Sequence, residues 1–148
     1  MGELLRPNVA AMILDTGNRV LLCERSDEPG HWQFPQGGWD VKETAEEAVL
    51  REAREELGSD RFNVLARIPG SYPYRWVMPR DGFVGQEQTY FILKFLGSDG
   101  DLRLDPREFR AHRWVERSEV ASVAAPIRRE VYAKVLPYLE RFVRSGSN

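Results

Sequence analysis

At 148 residues the chain is long enough to bury a core of its own and reads most simply as one domain spanning residues 1–148. Hydrophobic residues make up 42% of it and charged residues 30%, which excludes wholesale disorder. The longest apolar run is the six residues from Val9 to Leu14, too short for a membrane-spanning helix. A net charge of −2 excludes the broadly basic surface of a general nucleic-acid binder. The basic residues are 18 Arg against 3 Lys, and arginine's planar fork suits bidentate phosphate contacts. A GC-rich genome would give the same excess, so the count alone decides nothing.

The first residues lack the basic-then-apolar pattern of a secretory signal. The single cysteine, Cys23, can form neither an internal disulfide nor a cysteine-based zinc site. A cytoplasmic protein is expected, with Cys23 a buried strand thiol. Asn8–Thr16 and Arg19–Arg25 are strand-like runs joined as a hairpin at Gly17-Asn18. "WQFPQGGWD" is a short aromatic strand that breaks at Pro35 and the Gly37-Gly38 pair. Thr44 opens a helix with Glu47 completing a capping box, and Gly58 closes it. Phe62–Ile68, Gln86–Leu96 and Arg113–Val115 read as further strands. Ile127–Val143 reads as a closing amphipathic helix with Val131, Val135, Leu139 and Phe142 on one face and a kink or break at Pro137. Mostly antiparallel strands with two helices at separate points in the order indicate an α+β fold, helices packed on a mixed sheet.

The helix carrying "REAREELG" poses a physical problem. Val49, Leu50, Ala53 and Leu57 form a stripe that can dock on a sheet, and Glu52, Glu55 and Glu56 crowd its edge at i, i+3, i+4. Like charges at that spacing weaken a helix by roughly 0.2–0.5 kcal/mol per pair. Pairing of Arg51 with Glu47 and Glu55 accounts for a salt-bridged surface but leaves Glu52 and Glu56 facing each other. A hard divalent cation, Mg²⁺ or Mn²⁺, resolves the conflict, since neither cysteine nor histidine lies nearby to suggest zinc. Upstream, a Gln36-Gly37-Gly38 turn lets bare backbone approach a ligand and offers a carbonyl oxygen. Together these suit phosphate esters or anhydrides, with the cation clamping oxygens and activating water.

The string "GGWDVKETAEEAVLREAREELGS" resembles the Nudix box, with Gly37, Glu43, Arg51, Glu52, Glu55, Glu56 and Gly58 in register. Ala53 and Ser59 stand where that family usually carries a larger aliphatic residue. "RPNVAAMIL", "HWQFPQGG", "GQEQTYFILKF", "EFRAHRWV" and "REVYAKVL" are similar to segments of the branch that contains bacterial RNA pyrophosphohydrolases and dinucleoside polyphosphate hydrolases. The resemblance implies a Nudix α/β/α sandwich, a mixed sheet between helices. It implies Glu52, Glu55 and Glu56 as metal ligands, one of them the base for the attacking water, with Glu108 a further acidic group and Gly37 a carbonyl ligand. Arg51 and Glu43 would hold these ligands in place.

For the nucleotide the resemblance indicates the start of the closing helix, here Arg128 and Arg129, beside free backbone donors. Ile127 replaces an aromatic common among relatives, so a ring from Tyr72, Tyr74 or Trp76 is an alternative, with Arg75 nearby for phosphate. A loop hairpin packed on the protein's own surface explains those rings equally well. Arg25, Gln36, Gly38, Gln86 and Gln88 are the remaining candidates for the cleft, whereas His31 and His112 read as ordinary loop or surface histidines. The expected substrate is a 5′-triphosphate RNA end; alternatives are a dinucleoside polyphosphate and, in another class, a non-catalytic nucleotide-binding module. No stable protein partner is inferable, and monomer and dimer remain equally open.

Overall fold

The computed structural model describes residues 4–146, so the first and last residues of the expected 1–148 domain, including the start of the segment read for a secretory signal, lie outside it. Strand β1 (Leu5–Leu14) is the axis of the fold. From Asn8 to Leu14 it is buried on both faces, with Ala10, Met12 and Leu14 in one cluster and Val9, Ala11 and Ile13 in the other. A strand covered on both faces reads as a continuous apolar run, which is why "VAAMIL" shows no polar alternation.

β1 runs parallel to β7 (Phe83–Phe95), from Leu5 opposite Gly85 to Leu14 opposite Lys94. On its other edge it pairs antiparallel with β2 (Val20–Arg25) at one end and β4 (Gln36–Gly38) at the other. β3 (Trp32–Gln33) and β8 (Phe109–Val115) flank β2, while β5 (Phe62–Arg67) and β6 (Tyr72–Arg80) share the far edge of β7. Helix α1 (Ala45–Leu57) covers one face through Val49, Ala53 and Leu57. The short helices α2 (Val120–Val123), α3 (Arg129–Val135) and α4 (Glu140–Gly146) cover the other through Val120, Tyr132, Val135 and Val143. The α+β reading resolves into an α/β/α sandwich. No helix among the described residues is long and apolar enough to cross a membrane.

The β1–β2 hairpin closes as expected: Asp15 N–H donates to the Arg19 carbonyl at 3.0 Å, and Asn18 takes a φ of 63°. Two expectations need correction. Gln36-Gly37-Gly38 is not a turn but a strand, with Val9 opposite Gly37. Tyr72–Trp76 is not a loop but the start of β6; Pro73, which argues against a strand interior, is tolerated there because β6 is an edge strand. The closing helix breaks at Pro137 as expected: a tight 3₁₀ turn at Leu136–Leu139 separates α3 from α4.

Candidate active site

The box helix is fixed at both ends by local chemistry. Thr44 Oγ1 accepts from the Glu47 N–H at 3.1 Å, and Glu47 Oε1 accepts from the Thr44 N–H at 2.8 Å. At the far end Gly58 adopts a left-handed φ of 69°, and a Cβ there would strike the Arg103 carbonyl. The small Ala45, Ala48 and Ala53 are all buried, and Glu56, on the flank of this face, is only 5% exposed.

Arg51 is the hub. Its Nε and Nη2 donate to both oxygens of Glu43 (3.0 and 2.6 Å), Nη1 to Glu52 (2.9 Å) and Glu55 (3.0 Å), and Nη2 to the Gly38 carbonyl (2.9 Å). One guanidinium thereby ties the loop before the helix, the β4 strand and two helix carboxylates together. The Arg51 hydrogen bonds, helped by the Asp40 N–H, pull the Glu43 carboxyl down to about 2. Glu52 and Glu56 move the other way. Burial raises both, Glu56 much more, and Glu108 adds repulsion to each. Among the described residues Glu56 Oε1 is buried without a hydrogen-bond partner, an arrangement that costs roughly 1–3 kcal/mol when nothing compensates it. Gly37 lies against the same carboxylates: a Cβ there would overlap the Glu52 carboxyl group.

Glu108 is brought to this corner by the segment after β7. Arg103 N–H donates to the Leu57 carbonyl (2.8 Å) and Asp105 N–H to that of Glu56 (2.9 Å), so the segment closes the C-terminal end of α1; Glu108 N–H then donates to Asp105 (3.0 Å). The result is a cleft of about 1180 Å³ whose lining includes Glu52, Glu56, Glu108 and the Gly37-Gly38 backbone. That volume exceeds the usual range for small-ligand pockets. Arg25, Gln36, Tyr74, Arg75, Trp76, Gln86 and Arg128 line it as well.

Not every expected residue reaches the cleft. Glu55 lies outside its lining, its side chain 51% exposed and bonded to Arg51. Arg129 is exposed and also outside it. Gln88 stands behind the wall, donating to Asn8 and Gln36 and accepting from Tyr90. Arg25 lines the cleft but forks onto Asp27 at 2.8 and 2.7 Å. Among the three rings, Tyr72 packs edge-on against the core residue Tyr90 and Trp76 lies under the Arg80 guanidinium, 4.9 Å away.

Another part of the cleft joins two expected residues, Arg128 and Tyr74, to partners that the sequence did not reveal. Arg128 is only 2% exposed, yet among the described residues its partners are all neutral. It donates to His31 Nε2 (3.1 Å), Gln33 Oε1 (2.8 Å) and Gln36 Oε1 (3.2 Å), and lies 4.3 Å from the Tyr74 ring centroid. His31, expected at the surface, is buried, whereas His112 is a partly exposed partner of Asp99 (2.8 Å). Gln33 and Asn8, also missed, left one signal: each is a polar residue in an otherwise apolar or aromatic strand segment.

A NUDIX domain model matches residues 4–138. The chain belongs to the Nudix family. An RNA pyrophosphohydrolase of Gluconacetobacter diazotrophicus is 36% identical, over 93% of this chain and 92% of that protein. Among solved structures, the E. coli dihydroneopterin triphosphate pyrophosphohydrolase superposes with a TM-score of 0.72 at 19% identity, over 92% of this chain and 99% of that one. A C. elegans Ap4A hydrolase superposes at 0.67 and 20%, over 90% and 98%. At those identities the two structures establish the Nudix fold. Nudix hydrolases generally use divalent metal ions, and the donor set fits one: all oxygen, with an orphaned buried Glu56 oxygen facing the other carboxylates of the corner. Among the described residues no three acidic or histidine side chains already form a coordination shell. Arg51 competes for them, holding one oxygen each of Glu52 and Glu55.

Proposed function

We propose that this Nudix protein is a pyrophosphohydrolase that acts on the 5′-triphosphate end of RNA and leaves a 5′-monophosphate. The observation that carries the reading is one cleft with an acidic floor, including the orphaned Glu56 oxygen, and a buried arginine wall that has no counter-ion among the described residues. Its support from relatives is the similarity along 93% of the chain to an RNA pyrophosphohydrolase. Glu52, Glu56 and Glu108, with the Gly37 carbonyl, would hold Mg²⁺ or Mn²⁺, and the bound ion supplies charge neutralisation and an activated water. In the hydrolysis, water oxygen forms a bond to phosphorus as the bridging P–O bond breaks. The bond broken is the one between the α- and β-phosphates: the oxygen that leaves takes the electron pair. The RNA keeps a monophosphate, pyrophosphate is released, and a carboxylate of the floor accepts the water proton. Glu52 and Glu56 are better placed for that than Glu55, which lies outside the cleft. Arg51 and Glu43 keep the floor in position.

The test is direct competition. Purified protein given a 5′-triphosphate oligonucleotide and diadenosine tetraphosphate should show the higher kcat/KM on the oligonucleotide, and chelation of divalent ions should abolish both activities. A preference for the dinucleotide would move the assignment to a dinucleoside polyphosphate hydrolase. Binding without turnover, metal present, would leave a nucleotide-binding module. The wall makes a separate prediction. Arg128→Ala should raise KM about tenfold or more with metal affinity unchanged, as expected for a charged hydrogen bond of roughly 1.5–3 kcal/mol. Arg129→Ala should leave KM at the wild-type value.

A further inference from the structure

Among the described residues, Arg128 is a buried cation held entirely by neutral acceptors, one of which is His31. An arginine has five N–H donors; three are used by His31, Gln33 and Gln36, which leaves two for an incoming oxyanion. Taking a guanidinium out of water without a counter-charge is unfavourable, so this wall is preorganised for an anion at the expense of apo stability. Gln33 and Gln36 accept through amide oxygens at any pH. His31 accepts only while Nε2 is unprotonated. Its tautomer is set from the other side: Nδ1 lies 2.5 Å from Glu28 Oε2, so the proton resides on Nδ1 and the Nε2 lone pair faces Arg128 Nε. The loop is tied as well, with His31 N–H donating to the Glu28 carbonyl and the His31 carbonyl accepting from Arg25 N–H, both at 3.0 Å.

We infer that the Glu28–His31 pair is a positioning device for Arg128, locking the guanidinium in its substrate-receiving orientation while His31 is neutral and releasing it when His31 takes a second proton. The inference rests on the reading that Arg128 meets the substrate's phosphates. Protonated His31 would put an imidazolium against the guanidinium and remove the Nε acceptor together. The charged groups facing His31 are Arg128 on the 3₁₀ turn before α3, Glu28 and Asp27 on its own loop and Arg25 at the end of β2. Burial first, and then Arg128, hold the His31 pKa below the usual histidine value despite Glu28. Neutral His31, and hence a fixed Arg128, is the state at pH 7 and above.

The test compares KM and kcat for a 5′-triphosphate oligonucleotide between pH 5 and 8.5 in wild type, His31→Gln and His31→Phe. Glutamine can accept from Arg128 Nε at every pH; phenylalanine cannot accept at all. The substrate's own phosphates titrate in this range, so the readout is the ratio of wild type to His31→Gln, in which that titration cancels. The expected result is near-equal KM at pH 8, a wild-type KM rising at least threefold relative to His31→Gln by pH 5, and a His31→Phe KM about tenfold high at every pH with kcat less affected. A flat ratio, or a His31→Phe KM equal to wild type, overturns the inference. Arg128→Ala separates the two readings. If it leaves KM unchanged, the phosphate reading of Arg128 is wrong. If it raises KM while the His31 variants do not, only the positioning role of His31 falls. Should His31→Phe fail to fold, the pH ratio with His31→Gln decides alone.

Discussion

Replacing Glu56 with glutamine is expected to remove most of the hydrolytic rate while making the metal-free protein more stable. Glu56 is 5% exposed, one oxygen has no partner, and Glu52 and Glu108 repel its charge. Glutamine keeps the shape and removes the charge, so the apo fold should gain on the order of 1 kcal/mol, roughly 2–4 °C in Tm. Loss of an interaction that merely supports a metal ligand weakens activity 10–100-fold, so loss of a proposed ligand should lower kcat/KM by at least about 100-fold. The pH dependence has a definite sign. Burial raises the folded pKa of Glu56 above its unfolded value near 4.5, so its contribution to apo stability is fully present below that value and lost as pH rises through the folded one. Wild-type apo protein should therefore lose stability across that window, and Glu56→Gln should lose less. Millimolar Mg²⁺ should restore stability in wild type, by binding the native state alone, and much less so in the variant. Thermal melts from pH 4 to 8 with and without Mg²⁺ check all three. A variant as active as wild type, or a wild type whose Tm ignores divalent ions, would remove Glu56 from the metal floor.

What the sequence disclosed follows from how locally each feature is encoded. The box helix was legible because each end is capped by near neighbours, Thr44 with Glu47 and Gly58 with Arg54, and the crowding of Glu52 and Glu56 is a property of one helix. The two-layer burial of β1 was visible as an unbroken apolar run. The arginine wall was not legible in the same way. Arg128 and Arg129 are adjacent and chemically equal, and only the 3₁₀ turn Pro126–Arg128 sends one inward and leaves the other exposed. Its partners, His31 and Gln33, lie 97 and 95 residues away, and no local rule connects them. Tyr74 reaches the cleft as one of the expected rings, but the sequence could not single it out from Tyr72 and Trp76. Only the register of β6 with β7 places the Tyr74 ring against the Arg128 guanidinium. Glu55 matched the family motif in register, yet its side chain lies outside the cleft, because Arg51, four residues before it, captures it.

Gly37→Ala should do nearly as much damage as losing a carboxylate, although it adds only a methyl group. Gly37 is paired opposite Val9 in β4 and sits against α1, where an added Cβ would occupy the space of the Glu52 carboxyl group. Two relaxations are available. Either Glu52 swings aside, giving up its 2.9 Å bond to Arg51, or β4 withdraws from the helix and strains the Arg51–Gly38 carbonyl bond at 2.9 Å. Both move the floor of the cleft by a distance comparable to a bond length, and misplacement of about 1 Å in a reacting geometry lowers rates on the order of 100-fold. Overpacking of this kind destabilises by about 1–3 kcal/mol, roughly 3–9 °C in Tm for a chain of this size. The neighbouring glycine supplies the control. The atoms a Cβ on Gly38 would meet first all belong to the end of the Arg6 side chain, at 3.0 Å and beyond, a flexible group that can give way. Gly38→Ala should therefore lose less than tenfold in kcat/KM and about 2 °C or less. Equal effects from the two substitutions would mean that backbone tolerance of the glycine pair, and not the packing of Gly37 against Glu52, governs activity.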